Sequence, residues 1–141
     1  MEEFSTFQVS RLFDIDRTRL QEWIDRGFFT PFRKATGKGT KAIFTREDLY
    51  RLRLFMWLLL WLDSRSRAAD ALSKVNFKQI GPGKDQYKYL SLKVPSGKGV
   101  SGGSFELLKE MPSFKMGIFD LFLMVINLQG IKADVDRLLG K

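Results

Sequence analysis

The alternation of apolar and polar positions divides the chain into two textures. In the first, Phe7, Val9, Leu12 and Phe13 recur at helical spacing behind Ser5 and Thr6, two good capping residues, so a first helix of about two turns is expected. Asp14-Ile15-Asp16 breaks that rhythm, and Asp16 is placed to cap a second helix over 17–26, where its carboxylate accepts backbone N–H groups. Leu20, Trp23 and Ile24 share the inward face of this helix, while Thr18, Gln21, Glu22 and Asp25 form the outward arc. Gly27 is the expected stop, since glycine enters the left-handed conformation of a helix end without strain. Beyond Phe28, Phe29 and Pro31, the segment 33–44 turns over Gly37-Lys38-Gly39 and predicts a hairpin. Thr45 then caps a third helix with Glu47 and Asp48 in its first turn.

That third helix is apolar on two sides. Leu52, Phe55, Leu59 and Leu62 line one, and Leu54, Trp57, Leu58 and Trp61 line nearly the opposite one. A helix of this kind is buried on both sides, so the second row is expected to meet the C-terminal half or a second copy of the chain. Asp63-Ser64-Arg65-Ser66 interrupts the pattern, and Ser66 is the expected cap of a short fourth helix ending near Val75. From Asn76 onward the texture changes. Segments 77–80 and 87–94 read as two strands around Gly81-Pro82-Gly83, and a Gly/Ser connector follows over 95–103. Ser104 is placed to cap a helix over 105–111 that Pro112 ends. Segment 118–128 is open between strand and helix; the density of Phe, Val and Ile favours a strand over 121–128. A closing amphipathic helix over 131–139 turns Ile131, Val135, Leu138 and Leu139 inward and leaves Asp134 and Asp136 on its solvent side. The expected fold class is α+β. A head over 1–75, ordered helix, turn, helix, basic hairpin, helix, reads as a winged helix-turn-helix, and a small α+β module follows over 76–141.

Composition narrows the chemistry. The chain has 141 residues, with 24 Lys and Arg against 16 Asp and Glu, which favours a polyanionic partner. It has no Cys and no His, which removes disulfides, thiolate and imidazole metal sites, and histidine-dependent catalysis. No cofactor is expected, and an enzyme is the least favoured class. The acidic start Met1-Glu2-Glu3 shows no secretory signal, and the apolar runs fall far short of the ~20 residues that span a membrane. A cytoplasmic, nucleoid-associated protein without membrane contact is the expectation. The glycine-rich 97–103 lacks the spacing of a phosphate-binding loop.

The landmarks of the head resemble the MerR-type family of bacterial transcriptional regulators. Phe7-Gln8-Val9-Ser10-Arg11-Leu12 is similar to the family's first helix, Ile15-Asp16 to its turn and cap, and Leu20 with Trp23 to the inward face of its recognition helix. Gly27-Phe28-Phe29 before Pro31 looks like the family's Gly-Leu-Leu exit, and Phe44-Thr45-Arg46-Glu47-Asp48-Leu49 like the start of its third helix. The register holds from Val9 to about Leu52 and fades near Leu72, about half of the chain. Where members commonly carry Arg-Thr-Leu-Arg-Tyr-Tyr, this chain has Thr18-Arg19-Leu20-Gln21-Glu22-Trp23; where the wing often has an aromatic-Arg pair, it has Lys41-Ala42. No sustained heptads follow Ser66, so the family's dimerising coiled coil has no counterpart. The resemblance implies a DNA-binding head and not a metal sensor.

On this reading the second helix enters the major groove of double-stranded DNA. Gln21 suits adenine, Arg17 or Arg19 reaches guanine or phosphate, Glu22 accepts from cytosine, and Thr18 lies beside them. Arg33, Lys34, Lys38 and Lys41 act as point charges on the phosphate backbone, and with Arg46 they make a basic segment that faces no internal counter-charge. Leu54, Trp57, Leu58 and Trp61 are the candidate dimer or interdomain surface, and a homodimer is expected because two heads on adjacent half-sites multiply modest affinities. Packing is the favoured role of Trp57 and Trp61, ahead of an aromatic pocket shared with Tyr87 and Tyr89. A small-molecule or protein effector remains open. The competing class is an accessory DNA-packaging or excision factor, or a protein-docking adaptor built on the same head.

Overall fold

The computed structural model describes residues 2–37, 39–62, 64–95, 103–111 and 120–140. Lys38, Asp63, the connector segment 96–102 with its glycine-rich loop, and 112–119 with Pro112 lie outside the described residues.

Local capping sets the boundaries of the head. Helix α1 (Thr6–Phe13) starts at Ser5, whose hydroxyl accepts from Gln8 N while the Gln8 side chain accepts from Ser5 N. Asp14 ends it in the left-handed region at φ 53°. Helix α2 (Arg17–Asp25) is capped by Asp16, which accepts from Thr18 N at 2.7 Å. It ends as the sequence predicts. Gly27 has φ 79°, its N–H reaches Ile24 O, and Phe28 N reaches Trp23 O at 2.9 Å, which closes a Schellman end.

The wing is a short hairpin. Arg33 and Ile43 exchange both backbone hydrogen bonds, and Phe44 pairs on its other side with Phe4 at 2.8 and 2.9 Å, so the N-terminal segment is stitched to the wing. Helix α3 (Arg46–Trp61) follows from its Thr45–Asp48 capping box. The Asp48 carboxylate also accepts Phe32 N at 2.7 Å, which ties the wing's base to the first turn of α3.

Helix α4 (Arg65–Ser73) is capped by Ser64 rather than Ser66. The backbone is already extended at Leu62, with φ −109° and ψ 121°, so the earlier serine meets the first free N–H groups. Residues 77–80 are not a strand. Phe77–Gln79 form a 3₁₀ turn capped by Asn76, and Ile80 only bridges Tyr87. The sheet has order β2-β1-β3, with both pairs antiparallel: β1 (Tyr89–Pro95), β2 (Ser104–Leu108) and β3 (Asp120–Asn127). The strand expected near 121–128 is β3; the helix expected over 105–111 is instead strand β2, because its apolar residues find cross-strand partners. Leu90 stands opposite Leu107 and Ile126, and Leu92 opposite Phe105 and Met124, giving the sheet one apolar face against the core. Helix α5 (Leu128–Gly140) closes the chain with Leu128, Ile131 and Val135 buried.

The α+β architecture is thus observed, and one hydrophobic cluster runs through it. Trp23 meets Phe55 edge-on at 5.2 Å, Phe29 stacks on Phe44, and Tyr50 packs on Phe77 across residue 75. Helix α3 is the shared element, packing on α4, α5 and the 3₁₀ turn. Asp134 and Asp136 are not on the solvent side of α5: they face α3. Arg53 Nε donates to Asp134 at 2.7 Å, and Arg46 Nη1 and the Tyr50 hydroxyl both donate to Asp136 Oδ1. The apolar periodicity of α5 placed its inward stripe but could not show that the margin of that stripe meets cations on another helix.

Candidate nucleic-acid interface

Because Leu20, Trp23 and Ile24 anchor α2 in the core, its opposite arc is fixed toward solvent. There Arg17, Thr18, Gln21 and Glu22 line a groove of about 940 Å³. The first turn of α1 supplies one wall with Ser5, Thr6 and Phe7, and the wing supplies the other with Ala35, Thr40 and Lys41. Thr40 holds the wing tip in shape: its hydroxyl donates to Gly37 O at 2.7 Å and accepts from Thr36 N at 2.8 Å, while Gly39 turns the chain at φ 89°.

The anionic groups of this arc are already engaged. Glu22 accepts Arg65 Nη1 at 2.9 Å and has Arg26 Nε at 3.7 Å, and Asp25 accepts the Gln21 amide at 2.8 Å. Arg17 on α2 and Lys41 on the wing form no ion pair among the described residues, so the groove presents free positive charge on its helix and on one wall. Reading a base through Gln21 requires its bond to Asp25 to break, which is inexpensive at an exposed position.

The structure separates the other expected contacts. Arg33 and Lys34 are exposed on the first strand of the wing and do not line the groove. Lys38 lies outside the described residues. Arg19 lines a different depression, together with Trp23 and Arg53. Arg46, grouped by sequence with the uncompensated cations, is held by Glu2 at 2.9 and 3.0 Å and by Asp136 at 2.8 Å. Those carboxylates keep its guanidinium firmly protonated, well above the ordinary arginine range.

Phe7 does not turn into the core. It is 50% exposed, with the guanidinium groups of Arg11 and Arg17 at 5.6 and 5.7 Å from its ring centre. This positions Arg17 over the groove, a role that helical spacing alone did not reveal; the signal in the sequence was a pair of arginines within one helix and its successor. Arg26, at the groove's rim, was likewise missed.

Residues 4–63 match the family model of MerR HTH family regulatory proteins. The N-terminal head is a MerR-type helix-turn-helix. Among curated proteins nothing matches the chain. In this MerR-type head α1 and α2 are the helix-turn-helix pair, the 33–44 hairpin is the wing, and α3 is the third helix.

Of the four residues expected at a dimer or interdomain surface, Leu54 and Leu58 are fully buried in the core, whereas Trp57 and Trp61 are 40% and 63% exposed. The two tryptophans line a cleft with Val125, Ile126 and Ile131 beside the Arg53–Asp134 pair, and neither Tyr87 nor Tyr89 reaches it. No helix among the described residues is long and apolar enough to cross a membrane.

Proposed function

We propose that the chain is a sequence-specific, double-stranded DNA-binding transcriptional regulator, with α2 in the major groove and the wing on the phosphate backbone. The observation that carries this reading is the groove itself: unpaired cations on α2 and on the wing with the Gln21 amide between them, on a MerR-type head. In the major groove Gln21 reads a base edge and Arg17 a guanine or phosphate, while Lys41, Lys34, Arg33 and Lys38 supply charge. Residues 1–75 act as the binding unit and 76–141 as its supporting and partner module, in a bacterial cytoplasm.

Titration of labelled genomic duplexes by fluorescence anisotropy tests this. The logarithm of affinity should fall with the logarithm of salt, by roughly 0.9 per neutralised phosphate. Lys41→Glu should weaken every duplex alike, and Gln21→Ala should change the ranking of sequences. Binding that is absent, or insensitive to salt, supports a protein-docking adaptor instead; salt-dependent binding with no sequence ranking supports a packaging or excision accessory factor.

The regulator acts as a homodimer in this proposal, because one small head reads one half-site. The exposed flank of Trp61 beside β3 and α5 is the surface offered to the second copy. Sedimentation should give a dimer for the wild type and a monomer for Trp61→Glu. A wild-type monomer at concentrations that saturate DNA would remove the dimer from this account.

A further inference from the structure

Arg53 is unusual in this fold. Its side chain is only 21% exposed, its guanidinium lies 5.4 Å from the Phe13 ring centre and 5.9 Å from that of Trp57, and Asp134 accepts its Nε alone. The two terminal nitrogens have no acceptor among the described residues. A guanidinium has five donors, and Asp134 engages only the Nε one, which leaves the terminal nitrogens free to donate to a ligand.

Those nitrogens belong to a residue that lines a depression of about 480 Å³ between α2 and α3. Its walls are the apolar side chains of Ile15, Trp23, Met56, Trp57, Leu59 and Leu60. The only charged residues lining it are Arg53 and Arg19, and Arg19 has no hydrogen bond or ion pair among the described residues. A volume of this order accommodates a small ligand, and apolar walls with a few convergent polar groups are the usual make-up of such a site.

We infer that this depression is a binding site for a small aromatic monoanion, with the carboxylate held by Arg19 and the terminal nitrogens of Arg53 and the ring laid against Trp23, Trp57 and Met56. Charge complementarity selects the occupant. Two arginines without a lining carboxylate repel a cation, and a neutral ring makes no use of their donors, whereas a carboxylate gains charge-assisted bonds from both. The bond of Asp134 to Arg53 Nε persists when the ligand takes the other two nitrogens. The site adjoins the groove helix α2 on the face away from the groove, so an occupant bears on the seating of α2 against α3. The inference stands on Arg19 and Arg53 and does not depend on DNA being the partner of the opposite face.

Isothermal calorimetry of the full chain with 1-naphthoate, and with the neutral 1-naphthylmethanol, tests it. The wild type should bind one naphthoate per chain at least about tenfold more tightly than the alcohol, the preference expected of one charge-assisted contact. Arg19→Gln should abolish that preference, and Leu60→Glu, at a position 74% exposed, should weaken naphthoate while sparing the alcohol. Unchanged thermal melting shows that both variants remain folded. Equal affinity for the two probes, no saturable binding by the wild type, or variants that bind as the wild type does would overturn the assignment. A wild-type dimer that binds neither probe would give the surface to a second copy of the chain.

Discussion

Asp48 shows how much one carboxylate holds in this head. It is 6% exposed, and Oδ2 accepts both Thr45 N at 3.0 Å, closing the cap of α3, and Phe32 N at 2.7 Å, fixing the base of the wing. Removing it orphans two backbone donors where water has little access. Asp48→Ala should therefore cost about 2–4 kcal/mol in urea denaturation, more than a single lost cap. The capping half of this role was legible in the sequence, since Thr-x-x-Asp places both groups within one turn. The bond to Phe32 was not, because it joins residues 16 apart whose approach depends on the wing's path. Phe7 is opaque for a related reason: helical spacing places its ring on the apolar side of a helix, and does not say whether that ring meets the core or a guanidinium. If Phe7 seats Arg17 over the groove, Phe7→Ala should lower duplex affinity about twofold to fivefold with little loss of stability, as for a cation–π contact of ~0.5–1 kcal/mol at an exposed site. Anisotropy beside thermal melting separates the two effects.

Elements whose signals lie within one segment are legible in the sequence, and those set by distant partners are not. Helices α1, α2, α3 and α5 were legible because caps and apolar periodicity lie within each segment. Strand β2 was not, since Ser104 is a plausible helix cap and Phe105, Leu107 and Leu108 also fit a helical stripe. What makes it a strand is the partner: β1 presents Leu90 and Leu92 at the spacing that receives Leu107 and Phe105. The groove was legible in the same uneven way. The outward arc of α2 and the wing could be placed, but the departure of Arg19 to the other side of α2 needed the packing of α3. Leu92, 1% exposed at the centre of the sheet, should therefore control both neighbouring strands. Leu92→Ala is expected to cost about 2–5 kcal/mol, the range for a buried leucine that leaves a cavity. Amide exchange should show β2 and β3 losing protection together; loss confined to β1 would count against a sheet organised by this residue.

For the molecule as a whole, the question is what fastens the C-terminal half to the head. The hydrophobic cluster is continuous, but directional contacts come from α3 and α5: Arg53 with Asp134, and Arg46 and Tyr50 with Asp136. Exposed ion pairs contribute little, so the partly buried groups matter most. Burial by itself would raise the Asp134 carboxyl, yet the hydrogen bonds from Arg137 and Arg53 outweigh it and hold the group below its ordinary value. A depressed carboxylate contributes stability that is present above its unfolded pKa of ~3.9 and is lost as pH falls through the lower folded value. Tyr50 is the opposite case. Burial, then its bond to Asp136, pushes the phenol above its usual value. The neutral phenol is therefore favoured in the fold, and its contribution is complete below the unfolded pKa of ~10 and lost as pH rises through the folded one. Urea midpoints measured across pH should consequently fall at both ends. Asp134→Asn should flatten the acid limb relative to the wild type while leaving the alkaline limb unchanged. Tyr50→Phe should do the reverse, since it removes the titrating hydroxyl and keeps the ring against Phe77. If both variants instead shift the whole profile by a constant amount, the two groups fasten α5 to α3 without titrating between the folded and unfolded states, and the pH dependence lies elsewhere.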